Sequence, residues 1–424
     1  MQHLDFITFL LQLPQQCKGF VSEDVLQFQL PRKHHDCPYC GGSHTSVDKY
    51  RTQILRGVPD VRITFIYKNR RYRCTECGRT FSEDRPFLKK YQRMPESVVE
   101  DMVSAHGDLL TASYIARHHG VSPCTVSRHF LRAMRRQDAN TLDILDTPQG
   151  GEDAVPSAFP TALSMDEFRG NVGAKFQVAI HDLKERVCLD IIENRTTHLH
   201  EALSSIPEAS RMQVETFSID LSNQFRNVVA QYFPNATIAA DKFHAMRLAS
   251  DAMDTVRKNV QEKMKNQNEK LSFKKSRKLL LSRFQHLDEK AKIRLEKLLA
   301  VDAQLRTAYE LKEEYHSLFD AANHNDFLEK VRVFSCHAEQ SGIRSFRSVV
   351  RTTQEWKMEI WHGIATGYNN GFTEGCNNTI KVLKRIAYGF RNFENFRYRI
   401  LYLLNNQERR QRRSKPKNQT STKK

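Results

Sequence analysis

The sequence predicts an α/β protein: a mixed sheet core with a helical insertion, preceded by a zinc ribbon and a helix-turn-helix. Three observations carry that prediction. Residues 161–245 alternate between apolar strand-like runs and helical runs, two C-x-x-C pairs stand well upstream, and a stretch spaced as two short helices around a glycine turn lies between them.

The totals bound the function. The 424 residues and 49.3 kDa allow two to four domains, at least one of them with a large core. Against 49 Asp and Glu stand 66 Lys and Arg, a formal net charge of +17 with a pI near 9.5, which calls for a polyanionic partner, nucleic acid first. A membrane partner is disfavoured, because mean hydropathy is −0.60 and no apolar run approaches the length of a span. The apolar run from Phe6 to Leu13 is too short to cross a bilayer and lacks a secretion signal's basic flank and cleavage site, so the chain is expected to be cytoplasmic and nucleoid-associated. Nine cysteines, four of them in two close pairs, argue for a metal site in a reducing compartment rather than for a disulfide framework.

Residues 1–32 form an N-terminal helical segment, LDFITFLLQL, followed by VLQFQL, which alternates like a short strand. Packing is the expected role of both. In residues 33–86, Cys37, Cys40, Cys74 and Cys77 make two C-x-x-C knuckles that read as one tetrahedral zinc site. The loop between the knuckles is long for such a site and contains strand signals, so a ribbon with an internal hairpin is expected. Four protein ligands leave no open position, which makes this zinc structural. Arg70, Arg71, Arg73 and Arg79 crowd the second knuckle and are expected to reach phosphates.

The helix-turn-helix falls in residues 93–137. Within ASYIARHHGVSPCTVSRHFLRAM, Ala116 suits the helix crossing, Gly120 the turn, Ser122 the cap and Pro123 the first helical position, with Val126 buried. Thr125, Ser127, Arg128 and His129 are then the outward side chains of a recognition helix that enters a major groove. A structural helical pair without DNA contact is the competing reading, weakened by Arg132, Arg135 and Arg136. Residues 138–160, dense in Pro and Gly, read as a linker.

In residues 161–245, ALSMD ends a strand at Asp166, KFQVAIHD and RVCLDII continue a meander, and TTHLHEALSSI is a helix. ETFSID then ends a strand at Asp220, LSNQFRNVVAQYF is a helix, and TIAAD ends a strand at Asp241. Three strands, a helix, then alternating β and α is the order of a ribonuclease-H-like sheet. Its first and fourth strands lie side by side, which pairs Asp166 with Asp220. Residues 246–366 carry apolar residues at helical spacing and read as a helical insertion. Trp356 and Trp361, near its end, suit core packing better than stacking on a base. Residues 367–407 return to the core with an acidic helix, on which Glu374, Asn378, Lys381 and Arg385 share one face. An acid beside an amide and two cations suits a metal ion facing a DNA backbone, although a solvated polar stripe is the plainer reading of the helix alone. The basic tail, 408–424, can hold DNA without sequence preference.

Taken together, CPYC and CTECG, the helix-turn-helix, SMDEF, SIDLSNQF, FPNATIAADKFHAMR and NNGFTEGCNNTIKVLKRIAYGFRNFENFRYRI resemble bacterial insertion-sequence transposases of the ISL-three family over nearly the whole chain. The resemblance implies a ribonuclease-H-like DDE core that cuts and joins DNA at the element's inverted repeats, with Asp166, Asp220 and Glu374 as the catalytic triad. It also marks Asp241 and His244 as a D-x-x-H element, expected to hydrogen-bond and steady the neighbouring site, with metal ligation the lesser alternative. The chemistry expected is two-metal phosphoryl transfer. Three carboxylates hold two Mg2+ (or Mn2+) ions about 4 Å apart, one activating a water or a DNA 3′-hydroxyl and the other stabilising the leaving oxygen. Asn378, Lys381 and Arg385 would position the terminal strand. The partners implied are double-stranded DNA, both terminal inverted repeats and target, and a second copy of the chain, since both ends must be held in a dimer or larger assembly. Three alternatives stand beside this: a non-catalytic zinc-ribbon and helix-turn-helix DNA-binding regulator, a recombinase using a tyrosine such as Tyr388 or Tyr398, and a nuclease that cuts without joining.

Overall fold

A computed structural model of the chain describes residues 17–22, 24–58, 64–89, 91–146, 159–170, 172–368 and 371–405. The apolar run at 6–13, the Pro/Gly-rich part of the linker and the basic tail lie outside the described residues. The structure falls into two compact units, one of Met1–Ala154 with Ile380–Lys424, the other of Val155–Thr379.

The first unit opens with β1 (Lys18–Val21), β2 (Val25–Gln29), β3 (Thr45–Ile54), β4 (Thr64–Cys74) and β5 (Thr80–Ser82). They form one sheet in the order β1-β2-β4-β3, with β5 also on β4. The hairpin expected between the knuckles is β3 against β4, antiparallel from Thr45 opposite Cys74 to Ile54 opposite Ile66. Along β4 the side chains of Phe65, Tyr67, Asn69, Tyr72 and Cys74 are buried, close to the period of two that a half-buried strand requires. The alternation changes phase at Arg70, which is buried next to Asn69 and in step with Tyr72 and Cys74. Its Nη1 donates to Glu83 Oε2 at 2.9 Å and its backbone N–H to Glu83 Oε1 at 2.8 Å, and the Tyr67 hydroxyl donates to the same carboxylate at 2.6 Å. A buried cation survives only when its donors are satisfied, and here they are spent inside the protein, which removes Arg70 from the expected phosphate contacts. Arg73 pairs with Asp48 at 3.0 Å, and Arg79 lies exposed over the Tyr39 ring.

Three helices follow: α1 (Glu96–Gly107), α2 (Ala112–His118) and α3 (Pro123–Asp146). Val98, Met102, Ile115, Ala116 and Val126 share a core with Leu26, Phe28, Phe65 and Tyr67, so ribbon and helices fold as one body. The turn between α2 and α3 is built as its sequence requires. Gly120 has φ +60°, and Ser122 Oγ accepts the Thr125 N–H at 3.1 Å. Helix α3 continues to Asp146, nine residues into the stretch expected to be linker.

The second unit holds β6 (Ala162–Arg169), β7 (Phe176–Asp182), β8 (Val187–Ile192), β9 (Thr216–Ile219) and β10 (Thr237–Ala240), ordered β10-β9-β6-β7-β8. The pairs β6/β9 and β9/β10 are parallel, and β6/β7 and β7/β8 antiparallel. Strand β6 runs three residues past Asp166, where the sequence reading ends it, because Glu167, Phe168 and Arg169 still pair with Val178, Gln177 and Phe176. The intervening helices are α4 (Thr197–Ser205), α5 (Glu208–Arg211) and α6 (Asn223–Tyr232).

After β10 come α7 (Lys242–Lys263), α8 (Gln267–Lys275), α9 (Arg277–Leu281), α10 (Glu289–Leu299), α11 (Ala303–Ser317), α12 (His324–Gln340), α13 (Arg344–Glu355) and α14 (Lys357–Ala365), the expected helical insertion. One core runs from the sheet into these helices, joining Phe217 and Ile219 to Met253, Tyr315, Phe334 and Trp356. Trp356 is buried beneath the Arg226 guanidinium, 3.6 Å from its ring centre, and Trp361 packs on Phe327. Trp356 thus lies in the core and Trp361 packs at its edge. Helix α14 lies so close on β10 that a Cβ at Gly363 would meet the Ala240 carbonyl oxygen at 2.2 Å.

Two helices close the described chain, α15 (Gly371–Ile386) and α16 (Phe393–Asn405). Helix α16, grouped by the sequence reading with the catalytic core, packs instead within the first unit. Tyr402 meets Phe130 edge-on with ring centres 5.8 Å apart, Arg399 Nη2 donates to the His106 carbonyl at 2.9 Å, and Arg135 grips Glu394 through two bonds of 2.7 Å.

Candidate active site

The register of the second sheet places the acids. Met165 on β6 lies beside Ile219 on β9, so Asp166 and Asp220 are the next residues of two adjacent parallel strands. Asp241, just past β10, caps α7 by accepting the Phe243 N–H at 2.8 Å through Oδ1. Its Oδ2 faces His244 Nδ1 at 2.6 Å. Strand β6, the end of β9 and the start of α7 thus bring three aspartates and a histidine into one electrostatic neighbourhood.

Their charges act on one another. Burial and then the neighbouring Asp166 push Asp220 up to about 6, while Asp166 itself is raised by burial against the lowering effects of His244 and Asn377. The bond to Asp241 raises His244, so an imidazolium is favoured beside the carboxylates.

Helix α15 brings its first turns to this place. Asn377 Nδ2 donates to Asp166 Oδ2 at 2.6 Å, Thr373 Oγ1 lies 3.4 Å from Ser164 Oγ, and Phe372 packs edge-on against the buried His181 at 5.5 Å. Glu374, one turn before Asn377, is exposed. Among the described residues no three carboxylates or imidazoles gather here within 4.8 Å of one another, so Asp166, Asp220 and Glu374 do not form a cluster that tight. Asn378, exposed, sits one position round from the contact that Asn377 makes, and Lys381 and Arg385 follow on α15 beyond Thr379.

The knuckles assemble as their spacing requires. The sulfurs of Cys37, Cys40, Cys74 and Cys77 all lie within 4.8 Å of one another, with Cys37 to Cys77 at 3.6 Å and Cys40 to Cys74 at 3.7 Å. A tetrahedron with Zn–S bonds of ~2.3 Å has edges of about 3.8 Å, so the cluster fits zinc. Each knuckle turns at a glycine in the left-handed region, Gly41 at φ +73° and Gly78 at φ +71°, whose N–H returns to the first cysteine's carbonyl. On α3, Arg128 is exposed, whereas Thr125, Ser127 and His129 are half-buried. Ser127 and His129 flank the buried stripe of Val126, Phe130 and Met134, so they are less outward than the sequence reading has them.

Comparison with known proteins adds the family. A model of ISL3-type DDE enzymes, described as "Transposase", matches residues 163–400, more than half of the chain. The chain belongs to the ISL3 transposase family. It is 26% identical over 369 residues to the transposase of insertion sequence element IS1001 from Bordetella parapertussis, covering 86% of this chain and 87% of that one. The transposase of IS1557 from Mycobacterium tuberculosis is 24% identical over 202 residues, 42% of this chain and 45% of its own. A Lactococcus lactis protein called an ATP-dependent protease is 32% identical over 136 residues, 32% of this chain and 39% of its own. This transposase contains no G-x-x-x-x-G-K-[ST] run with which a P-loop holds ATP.

A transposase of the DDE class implies a divalent cation, and the acidic neighbourhood suits one. Asp220 Oδ1 and Asn377 Oδ1 are both buried without a hydrogen-bond partner, two acceptor oxygens beside Asp166 that a hard cation would satisfy. Asn377 is the residue the sequence reading missed. The signal was present: Thr373, Cys376 and Ile380 are buried at helical spacing, and that stripe turns Asn377 rather than Asn378 toward the sheet. Among the described residues no helix is long and apolar enough to cross a membrane.

Proposed function

We propose that this transposase binds the terminal inverted repeats of its element and uses Mg2+ or Mn2+ to cleave the DNA strand and join it to a target, on a ribonuclease-H-like core. The order β10-β9-β6-β7-β8, with a parallel half and an antiparallel half, supports that core. The observation that carries the reading is the meeting of Asp166 and Asp220 on adjacent strands, with Asn377 of the Glu374 helix bonded to Asp166. Asp166, Asp220 and Glu374 would hold the cations, which when bound lower the pKa of an attacking water or 3′-hydroxyl and stabilise the leaving oxygen. The protein's own groups do the rest. Asn377 fixes the Asp166 carboxylate, Asp241 orients His244, and His244 offsets the mutual repulsion of the acids. Asn378, Lys381 and Arg385 follow Glu374 on α15 and are assigned to the phosphates of the terminal strand, while Thr125, Ser127, Arg128 and His129 are assigned to the repeats. Zinc in the four-cysteine cluster holds the ribbon that shares its core with the helix-turn-helix. Two copies, one at each end, would form the working assembly.

The test is cleavage of a duplex carrying the repeats that flank the element, in Mg2+, by the whole chain and by Asp220→Asn. The expected result is unchanged binding with cleavage abolished in the variant. A wild-type protein that binds the repeats but never nicks them would overturn the enzyme reading in favour of a regulator.

A further inference from the structure

Helix α15 ends in an unusual way. Its last turn closes through the Tyr388 N–H, which donates to the Arg385 carbonyl at 3.2 Å, and Tyr388 sits in the left-handed region at φ +51°. Helices that stop this way ordinarily place glycine there, because a Cβ is strained in that conformation. Here glycine comes one residue later, as Gly389 at φ +100°. The strain at Tyr388 is not repaid by packing, since the side chain is 97% exposed. The next aromatic behaves in the opposite way: Phe390 turns in against Phe396, ring centres 4.7 Å apart, and anchors the turn. The result is a turn that holds one aromatic ring in solvent, with exposed arginines before and after it at Arg385 and Arg391.

We propose that Tyr388 is a stacking platform for an unpaired base of the DNA, with Arg385 and Arg391 on the flanking phosphates. A ring offers its face to any base, and cations beside it hold the backbone without reading sequence. A strained, solvent-held side chain is what such a contact needs and what folding alone disfavours. The inference rests on the reading of this chain as a DNA-processing enzyme.

The experiment uses the full chain and two synthetic probes of unrelated sequence, a blunt duplex and the same duplex with a short single-stranded 3′ tail, with affinity read by fluorescence anisotropy. Wild type is expected to prefer the tailed probe by roughly 5- to 100-fold, the effect of one base stack. Tyr388→Ala and Tyr388→Gly should lose that preference, the glycine variant with a melting temperature equal to or above wild type because the strain is gone. Tyr388→Phe and Tyr388→Trp should keep it. Equal binding of both probes by wild type, or an alanine variant that keeps the preference, would overturn the proposal. So would a phenylalanine variant as defective as alanine, which would assign the effect to the hydroxyl rather than to the ring. Mg2+-dependent nicking of repeat DNA is scored separately by wild type, so failure of the stacking site and failure of the transposase reading give different results.

Discussion

At Asp220 a single carboxylate shows what the site costs the fold. Burial and Asp166 move it from the ordinary 3.8 to about 6, so between those values the folded state binds a proton that the unfolded state has released. Stability therefore falls as pH rises through that window and is lowest above it. Asp220→Asn removes the penalty. In EDTA it should raise the melting temperature at pH 8, by an amount corresponding to at most about 3 kcal/mol, and the gain should vanish near pH 4. Mg2+ should stabilise wild type at pH 8 and not the variant. A scanning-calorimetry series across pH checks both, and an asparagine variant no more stable than wild type at pH 8 would remove the electrostatic account. Asn377 is the second residue with a sharp expectation. It holds Asp166 through one 2.6 Å bond, so Asn377→Ala should lower the cleavage rate by ~10- to 100-fold while leaving repeat binding intact.

The elements differ in how firmly sequence alone places them. The two knuckles announce themselves, since C-x-x-C-G repeated at Cys37 and Cys74 supplies both the ligands and the glycine that each turn needs. Purified protein should carry about one zinc per chain by atomic emission, and Cys74→Ser should lose the metal and melt earlier. The five strands of the second sheet are legible for another reason: each is an apolar run bounded by polar or turn residues. The end of β6 was not, because Glu167, Phe168 and Arg169 look like loop and are strand only by pairing with β7. In the candidate site, Asp166 and Asp220 were legible as acids on two neighbouring strands, while the choice between Asn377 and Asn378 depended on the rotation of a helix. Helix α16 is the clearest case of what was hidden. Its amphipathic pattern predicts a packed face and says nothing of the partner, which is 259 residues away where Arg135 meets Glu394. At Gly107 a Cβ would come 2.0 Å from the Tyr402 ring, so Gly107→Ala should force that ring aside and cost about 1–3 kcal/mol by thermal melting.

For the whole molecule the consequence is an order of assembly that the chain does not follow from end to end. The unit that begins with the ribbon and helix-turn-helix is completed by residues after Thr379, once the sheet and its helical insertion have been passed. The completing contacts are specific. Phe130, Met134 and Tyr398 form a small buried cluster with Tyr402 against it, and Arg399 holds the carbonyls of His106 and Leu110, where α1 runs out of partners of its own. A fragment of residues 1–146 should therefore fold incompletely, whereas residues 1–146 joined by a flexible linker to 380–405 should fold as in the whole chain. The difference expected is about 10 °C in melting temperature, from burial worth a few kcal/mol in a domain of this size. The shorter fragment should also shift repeat DNA more weakly in a gel, because α3 bears Arg128 on one face and rests on α16 through Phe130 on another. If both fragments melt together and bind alike, α16 is a passenger on the first unit. If the short one is weakened as expected, the helix-turn-helix unit depends on residues that follow the second unit in sequence, and a chain ending at Thr379 should lose repeat binding while it keeps Asp166, Asp220, Glu374 and Asn377.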